Sequence, residues 1–211
     1  MLPSILLVGL VALIGKSRSS YPFPHALRPH LHPRLYHGCY GDIMTMETAG
    51  VRCDISNLLT CGIRGSEMFA DMDLRSIRPY QTLIKEVGQK YCVDPALIAA
   101  VISRESHGGT ALQRGWDSRG LKFGLMQVDK RFQPTGAWDS KEHLSQAVDI
   151  LAENIKAMRR KFPTWSVDQH LKGGLSAFKS GAEAIATLED IDSDYADDVV
   201  ARARFYRSHG F

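Results

Sequence analysis

Residues 94–109, DPALIAAVISRESHGG, decide the fold. Asp94 is a favoured N-cap type, and Pro95 fits the first helical position, where its missing N–H costs nothing. Ala96 to Ile102 are apolar without interruption. A helix that is apolar all round lies inside a protein, so this stretch predicts a buried central helix, ended by Gly108 and Gly109. Near its end stands Glu105. Desolvation disfavours the charged form of a carboxyl group, so a glutamate with one apolar side is expected to hold its proton near neutral pH. Such a group serves as a general acid. An ordinary ion pair with Arg104, or with another arginine, is the alternative.

Working outward, Ser66 begins a helical pattern, SEMFADMDLRSI, and Pro79 suits the first turn of a second helix with apolar spacing at Leu83, Ile84 and Val87. Residues 115–129, GWDSRGLKFGLMQVD, break the helical period. Three glycines and period-2 fragments predict a loop and a short hairpin. Helices resume over 141–162, stopped by Pro163, then around VDQHLKGGLSAF and DYADDVVARARFYRSH. The fold class is mainly α, a helical domain around one buried helix with a small β-hairpin. Asp197 and Asp198 are expected on a solvated face, and Trp138 and Trp165 in the core.

The chain has 211 residues, enough for one domain with a proper core. Residues 1–19 hold an apolar run from Ile5 to Ile14, too short to span a bilayer, followed by KSRSS. This predicts a signal peptide, hence a secreted protein with no membrane anchor after cleavage. Removing it leaves 24 basic against 23 acidic side chains, a balance that gives no support to nucleic acid as a partner. Residues 20–38 are rich in Pro and His and read as an extended, solvated arm. Four cysteines, Cys39, Cys53, Cys61 and Cys92, imply two disulfides behind a signal peptide, with three pairings open.

Asp117 and Asp129 lie in the glycine-rich segment downstream of Glu105. Inverting cleavage of a glycosidic bond needs an acid on the leaving oxygen and a carboxylate that activates water on the opposite face, roughly 6.5–9.5 Å away. A helix end facing a hairpin across a cleft supplies such a gap. Gly115, Gly120 and Gly124 let backbone approach a sugar closely. Trp116 and Phe123 are either stacking surfaces or core. No metal or organic cofactor is implied.

The segments SRESHGG, GLMQVDKR, FPTWSVDQHLKGGLSAF and DDVVARARFYRSHGF, in that order, resemble the goose-type lysozymes over residues 39–211. Shorter pieces resemble the soluble lytic transglycosylase signature. The resemblance implies an α+β lysozyme-like domain acting on bacterial peptidoglycan. It implies hydrolysis, with inversion, of the β-1,4 bond between N-acetylmuramic acid and N-acetylglucosamine. Glu105 falls at the family's catalytic acid and Asp129 at one of two aspartates that position water. The implied disulfides are Cys39–Cys92 and Cys53–Cys61. A secreted, monomeric, bacteriolytic enzyme is expected.

Two departures stand out. The family's second water-positioning aspartate falls at Ser118, beside Asp117, which is the candidate substitute. The family reads AYNAG where this chain reads AFKSG, residues 177–181, so Phe178 lacks a hydroxyl and Lys179 replaces an amide. Phe178, Gln127 and His107 are candidate substrate-binding residues, with a helix-capping role as the alternative for His107.

Overall fold

The computed structural model describes residues 38–53 and 61–211. The signal peptide and the Pro/His-rich arm expected over 1–38 lie outside the described residues, save Gly38.

Helix α3, Pro95–Ser106, is the axis of the domain. Asp94 Oδ1 accepts from the Ala96 N–H at 2.9 Å, and Pro95 fills the first position. Every residue from Pro95 to Ser103 is buried. The helix stops one residue before the glycines. His107 takes the left-handed conformation, φ 53°, and its N–H returns to Ser103 O. Gly108 follows at φ 68°, where a Cβ would overlap Ser76. That glycine lets α3 end hard against α1, Gly62–Ile77.

Helix α1 starts four residues earlier than the sequence suggested. Val51 and Gly62 form a β-bridge just after Cys61, and Ser66, buried, receives the Val51 N–H at 2.8 Å. Ser66 therefore anchors the neighbouring Val51 segment and does not begin the helix. A 3₁₀ turn, Arg78–Tyr80, carries Pro79 and leads into α2, Gln81–Tyr91. The disulfides are Cys39–Cys92, which ties the N-terminal segment to the end of α2, and Cys53–Cys61.

Strands β1, Lys122–Phe123, and β2, Val128–Asp129, pair antiparallel with Lys122 opposite Asp129. The buried His143 holds this hairpin to α4, Lys141–Lys161. Its ring nitrogens face the carbonyls of Phe123 at 3.1 Å and Thr135 at 3.2 Å. Helix α5, Val167–Ser180, opens with a capping box of Ser166 and Gln169. It packs on α4 through Gly173 and Gly174, where any Cβ would press on Met158 or Ile155. Helix α6, Asp194–Ser208, is capped by Ser193 and lies along α3. Trp138 and Trp165 pack against the core, Trp165 stacked on Phe162 at 3.9 Å. Trp116 and Phe123 pack on each other, centroids 4.8 Å apart.

The solvated face expected at Asp197 and Asp198 is not there. Asp198 is fully buried, accepts two bonds from Arg202, both 2.9 Å, and forms an ion pair with Arg104 at 2.8 Å. Arg202 also donates to Ser103 Oγ at 2.9 Å, and Ser103 donates to Asp73 Oδ2 at 2.6 Å. Asp197 pairs with Lys172 at 2.9 Å and is mostly covered. Asp198 thus turns inward onto Arg202 of its own helix and Arg104 of α3, and Asp197 onto Lys172 of α5.

Removing one partner of a buried ion pair strands the other charge, which costs roughly 3–5 kcal/mol. Asp198→Ala is expected to destabilise the domain by about 3 kcal/mol or more, read as a lower urea midpoint with an unchanged slope.

Candidate active site

Glu105 sits in the last turn of α3 with its side chain 5% exposed. Lys179, one residue before the end of α5, donates to both carboxylate oxygens, at 2.9 Å and 3.3 Å. Lys122 on β1 stands 4.0 Å from Oε2. The ion pair with arginine, the alternative reading, is not formed: Arg104 turns away to Asp198 and to Asp194, 3.4 Å. From α6, the buried Tyr195 closes the back of the site, with Lys179 Nζ 5.2 Å from its ring centre.

Lys122 feels this crowding. Burial pushes its ammonium below the usual lysine range; the charge of Glu105 resists that shift and the neighbouring Lys179 adds to it. Asp129 lies directly across the hairpin. Its Oδ1 caps the 3₁₀ turn Lys130–Phe132, accepting the Arg131 N–H at 2.9 Å and Arg131 Nε at 3.1 Å. Those two bonds hold its carboxyl below the ordinary range. Asp129 is half-buried and a committed anion.

A groove of about 350 Å³ runs between the hairpin, α4 and α5. Lys122, Gln127, Asp129, Phe132, Phe178 and Lys179 are among its walls. Glu105 lies behind two of them, Lys122 and Lys179, so the ammonium of Lys179 stands between the acid and the groove.

The remaining candidates are placed as follows. Gln127, buried at φ 54°, spends its amide N–H on Gly124 O at 2.8 Å, bracing the turn between the strands. Asp117 is tied into the preceding loop. Burial raises its carboxyl, but the N–H groups of Leu121 at 2.7 Å and Lys122 at 3.1 Å, with Arg119, outweigh that and leave it below the usual range. Ser118 is exposed in the same loop. His107 faces α1 instead of the groove, its Nδ1 3.0 Å from Asp73 Oδ1.

Sequence reasoning did not single out Lys122 or Tyr195. A lysine opposite Asp129 in a two-residue ladder was the available signal for Lys122. Tyr195 gave none, because its partner lies 90 positions away in the chain.

The chain is similar in sequence to known proteins. A sequence model of the family Lysozyme g matches residues 40–210. Lysozyme g-like protein 2 of Homo sapiens is 71% identical over the full length of both chains, and that of Mus musculus 66%. Lysozyme G of Dromaius novaehollandiae is 45% identical over 98% of each chain.

If Lys179 covers Glu105, removing it exposes the carboxyl. Lys179→Met is expected to speed carbodiimide-driven amidation of Glu105 several-fold, followed by peptide mass mapping. An unchanged rate would show that the ammonium is not the cover.

Proposed function

The chain belongs to the lysozyme g family, and on that premise we propose that it cuts bacterial peptidoglycan with Glu105 as general acid and Asp129 readying the attacking water. The bond is the β-1,4 link between N-acetylmuramic acid and N-acetylglucosamine. Glu105 gives its proton to the leaving glycosidic oxygen. Water attacks the anomeric carbon from the opposite face and passes a proton to Asp129, so the configuration inverts. Both steps balance with two carboxyl groups and one water.

One observation carries this reading. A nearly water-free carboxyl at the end of the central helix stands beside a groove whose opposing strand presents a carboxylate already fixed as an anion. Two carboxyl groups in unlike surroundings suit unlike roles. Asp117 is the weaker candidate for the water, since its Oδ1 is occupied by two backbone N–H groups. Gln127 and Phe178 line the groove and are the candidate sugar contacts.

Catalysis on this scheme requires Lys179 to leave the carboxyl as substrate enters. Its side chain is 45% exposed and ends in a flexible four-carbon stem, so the movement is open to it. The same contact favours a second reading, a protein that binds cell wall and cuts it slowly or not at all. Two disulfides suit an oxidising compartment, which supports secretion and a bacteriolytic role outside the cell.

The test is release of reducing ends from peptidoglycan. Glu105→Gln is expected to lower the rate by about 10²–10⁴-fold, and proton NMR of the first products of the native protein to show the α-anomer. Equal rates for the two proteins would overturn the assignment of Glu105. Wall binding by the native protein without any release would establish the second reading.

A further inference from the structure

We propose that Lys179 and Lys122 form an anion subsite, which selects wall glycan carrying a carboxylate or a phosphodiester beside the scissile bond. That anion draws Lys179 off the acid. The inference deepens the proposed function and rests on Glu105 being the acid. Three observations support it. Two ammonium groups share one carboxylate, Lys179 at 2.9 Å and Lys122 at 4.0 Å from Glu105. Glu105 is the sole ion-pair partner of Lys179 among the described residues. Both lysines line the groove, with Glu105 behind them, so a charged group of the substrate can meet them from the groove side. Finally, the anion they hold is the one that the reaction removes. To act as general acid Glu105 must carry a proton, and its charge is then gone. Burial already pushes the Lys122 ammonium below the usual lysine range; Glu105 resists that shift and Lys179 adds to it. With Glu105 neutral, the two lysines face each other without that anion, and a substrate anion in the groove restores the balance.

The other charges near the groove are engaged with one another. Asp129 accepts from the N–H and Nε of Arg131, and the charge of Glu183 also acts on Arg131. Arg104 is taken by Asp198 and Asp194. Asp117 is tied to the N–H groups of Leu121 and Lys122 and to Arg119. Asp129 and Asp117 act on Lys122 too, but less than Glu105 does. Lys179 therefore has the most to gain from a new anion. Its ammonium is a compact point charge on a flexible stem, so it suits a carboxylate or a phosphate alike. The muramyl unit of the proposed substrate supplies a carboxylate on its lactyl ether or attached peptide, and wall polymers supply phosphodiesters. A glycan of N-acetylglucosamine alone carries neither.

The experiment uses full-length protein with disulfides formed and three glycans of one length. The first alternates N-acetylglucosamine with muramic acid bearing free carboxylates. The second has each carboxylate converted to its neutral methylamide. The third is the methylamide glycan carrying a methyl phosphodiester on the muramyl 6-hydroxyl. The native protein should cut a charged glycan about tenfold faster than the neutral one, the worth of one hydrogen bond to a charged group. Lys179→Met should cut all three at one rate. Preference for the first glycan alone assigns the muramyl side chain as the source of the anion, preference for the third alone assigns the phosphodiester, and preference for both assigns charge itself. Equal native rates on the three glycans would overturn the proposal, as would selectivity that survives in Lys179→Met. A binding measurement without turnover separates this result from failure of the acid. In Glu105→Gln the lysines lose their resident carboxylate. By calorimetry a charged glycan should bind this variant about tenfold more tightly than it binds the Glu105→Gln, Lys179→Met double variant. Equal affinities would overturn the proposal. If native protein and Glu105→Gln release reducing ends equally, the assignment of the acid fails, and the binding comparison alone decides whether the anion subsite stands.

Discussion

The burial of α3 on every side governs the rest of the molecule. A helix with no wet face can seat polar side chains only where other elements bring partners to it. At the end of α3 three consecutive residues do this, each pointing about 100° from the last. Ser103 meets Asp73 of α1 and Arg202 of α6. Arg104 meets Asp198 and Asp194 of α6. Glu105 meets Lys179 of α5 and Lys122 of β1. The last turn of one helix thus gathers four other elements. The network around Ser103 is a structural counterpart of the site around Glu105, and the same burial makes both necessary. Unpaired, these groups would each lose their hydration without compensation.

The two carboxyl groups of the proposed mechanism are separated by environment before any substrate arrives. Asp129 caps a turn and pairs with Arg131, so it stays ionised where it meets water. Glu105 is almost out of water and depends on lysines for company. The hairpin register enforces the difference. It sets Lys122 opposite Asp129 while the lysine side chain reaches back toward Glu105. A one-residue slip would send Lys122 to the other face and uncouple the two halves of the site.

Much of this was legible in the sequence. The central helix, its Asp94 cap, the hairpin and the later helices follow from local chemistry, and the structure has them within a few residues. Other features depend on contacts that spacing does not record. The disulfide pairing followed only from the resemblance to a known family, since three pairings fit the same four cysteines. Asp198 read as solvent-facing because its acidic neighbours suggest a wet surface, yet its partners are Arg202 one turn on and Arg104 nearly a hundred residues back. Position 107 was legible as a helix end, but the direction of the imidazole was set by Asp73, a residue on another helix.

The identity of the residue over the acid explains why cover and catalysis are compatible. An arginine at position 179 would offer a planar fork matched to both carboxylate oxygens and would hold them in one rigid geometry. A lysine offers a single ammonium on a flexible stem, here shared unequally between the oxygens at 2.9 Å and 3.3 Å. It also sits in the last turn of α5, directly before Ser180 and Gly181, where the helix ends and a 3₁₀ turn, Ala182–Ala184, begins. Moving it uncovers the acid without disturbing α3, whose own packing lies behind Glu105. Lys122, 4.0 Å from the carboxyl on β1, is a second cation beside it. Under the proposed mechanism the resting contact is therefore a movable cover, and the chemistry beneath it is held in place by the buried helix.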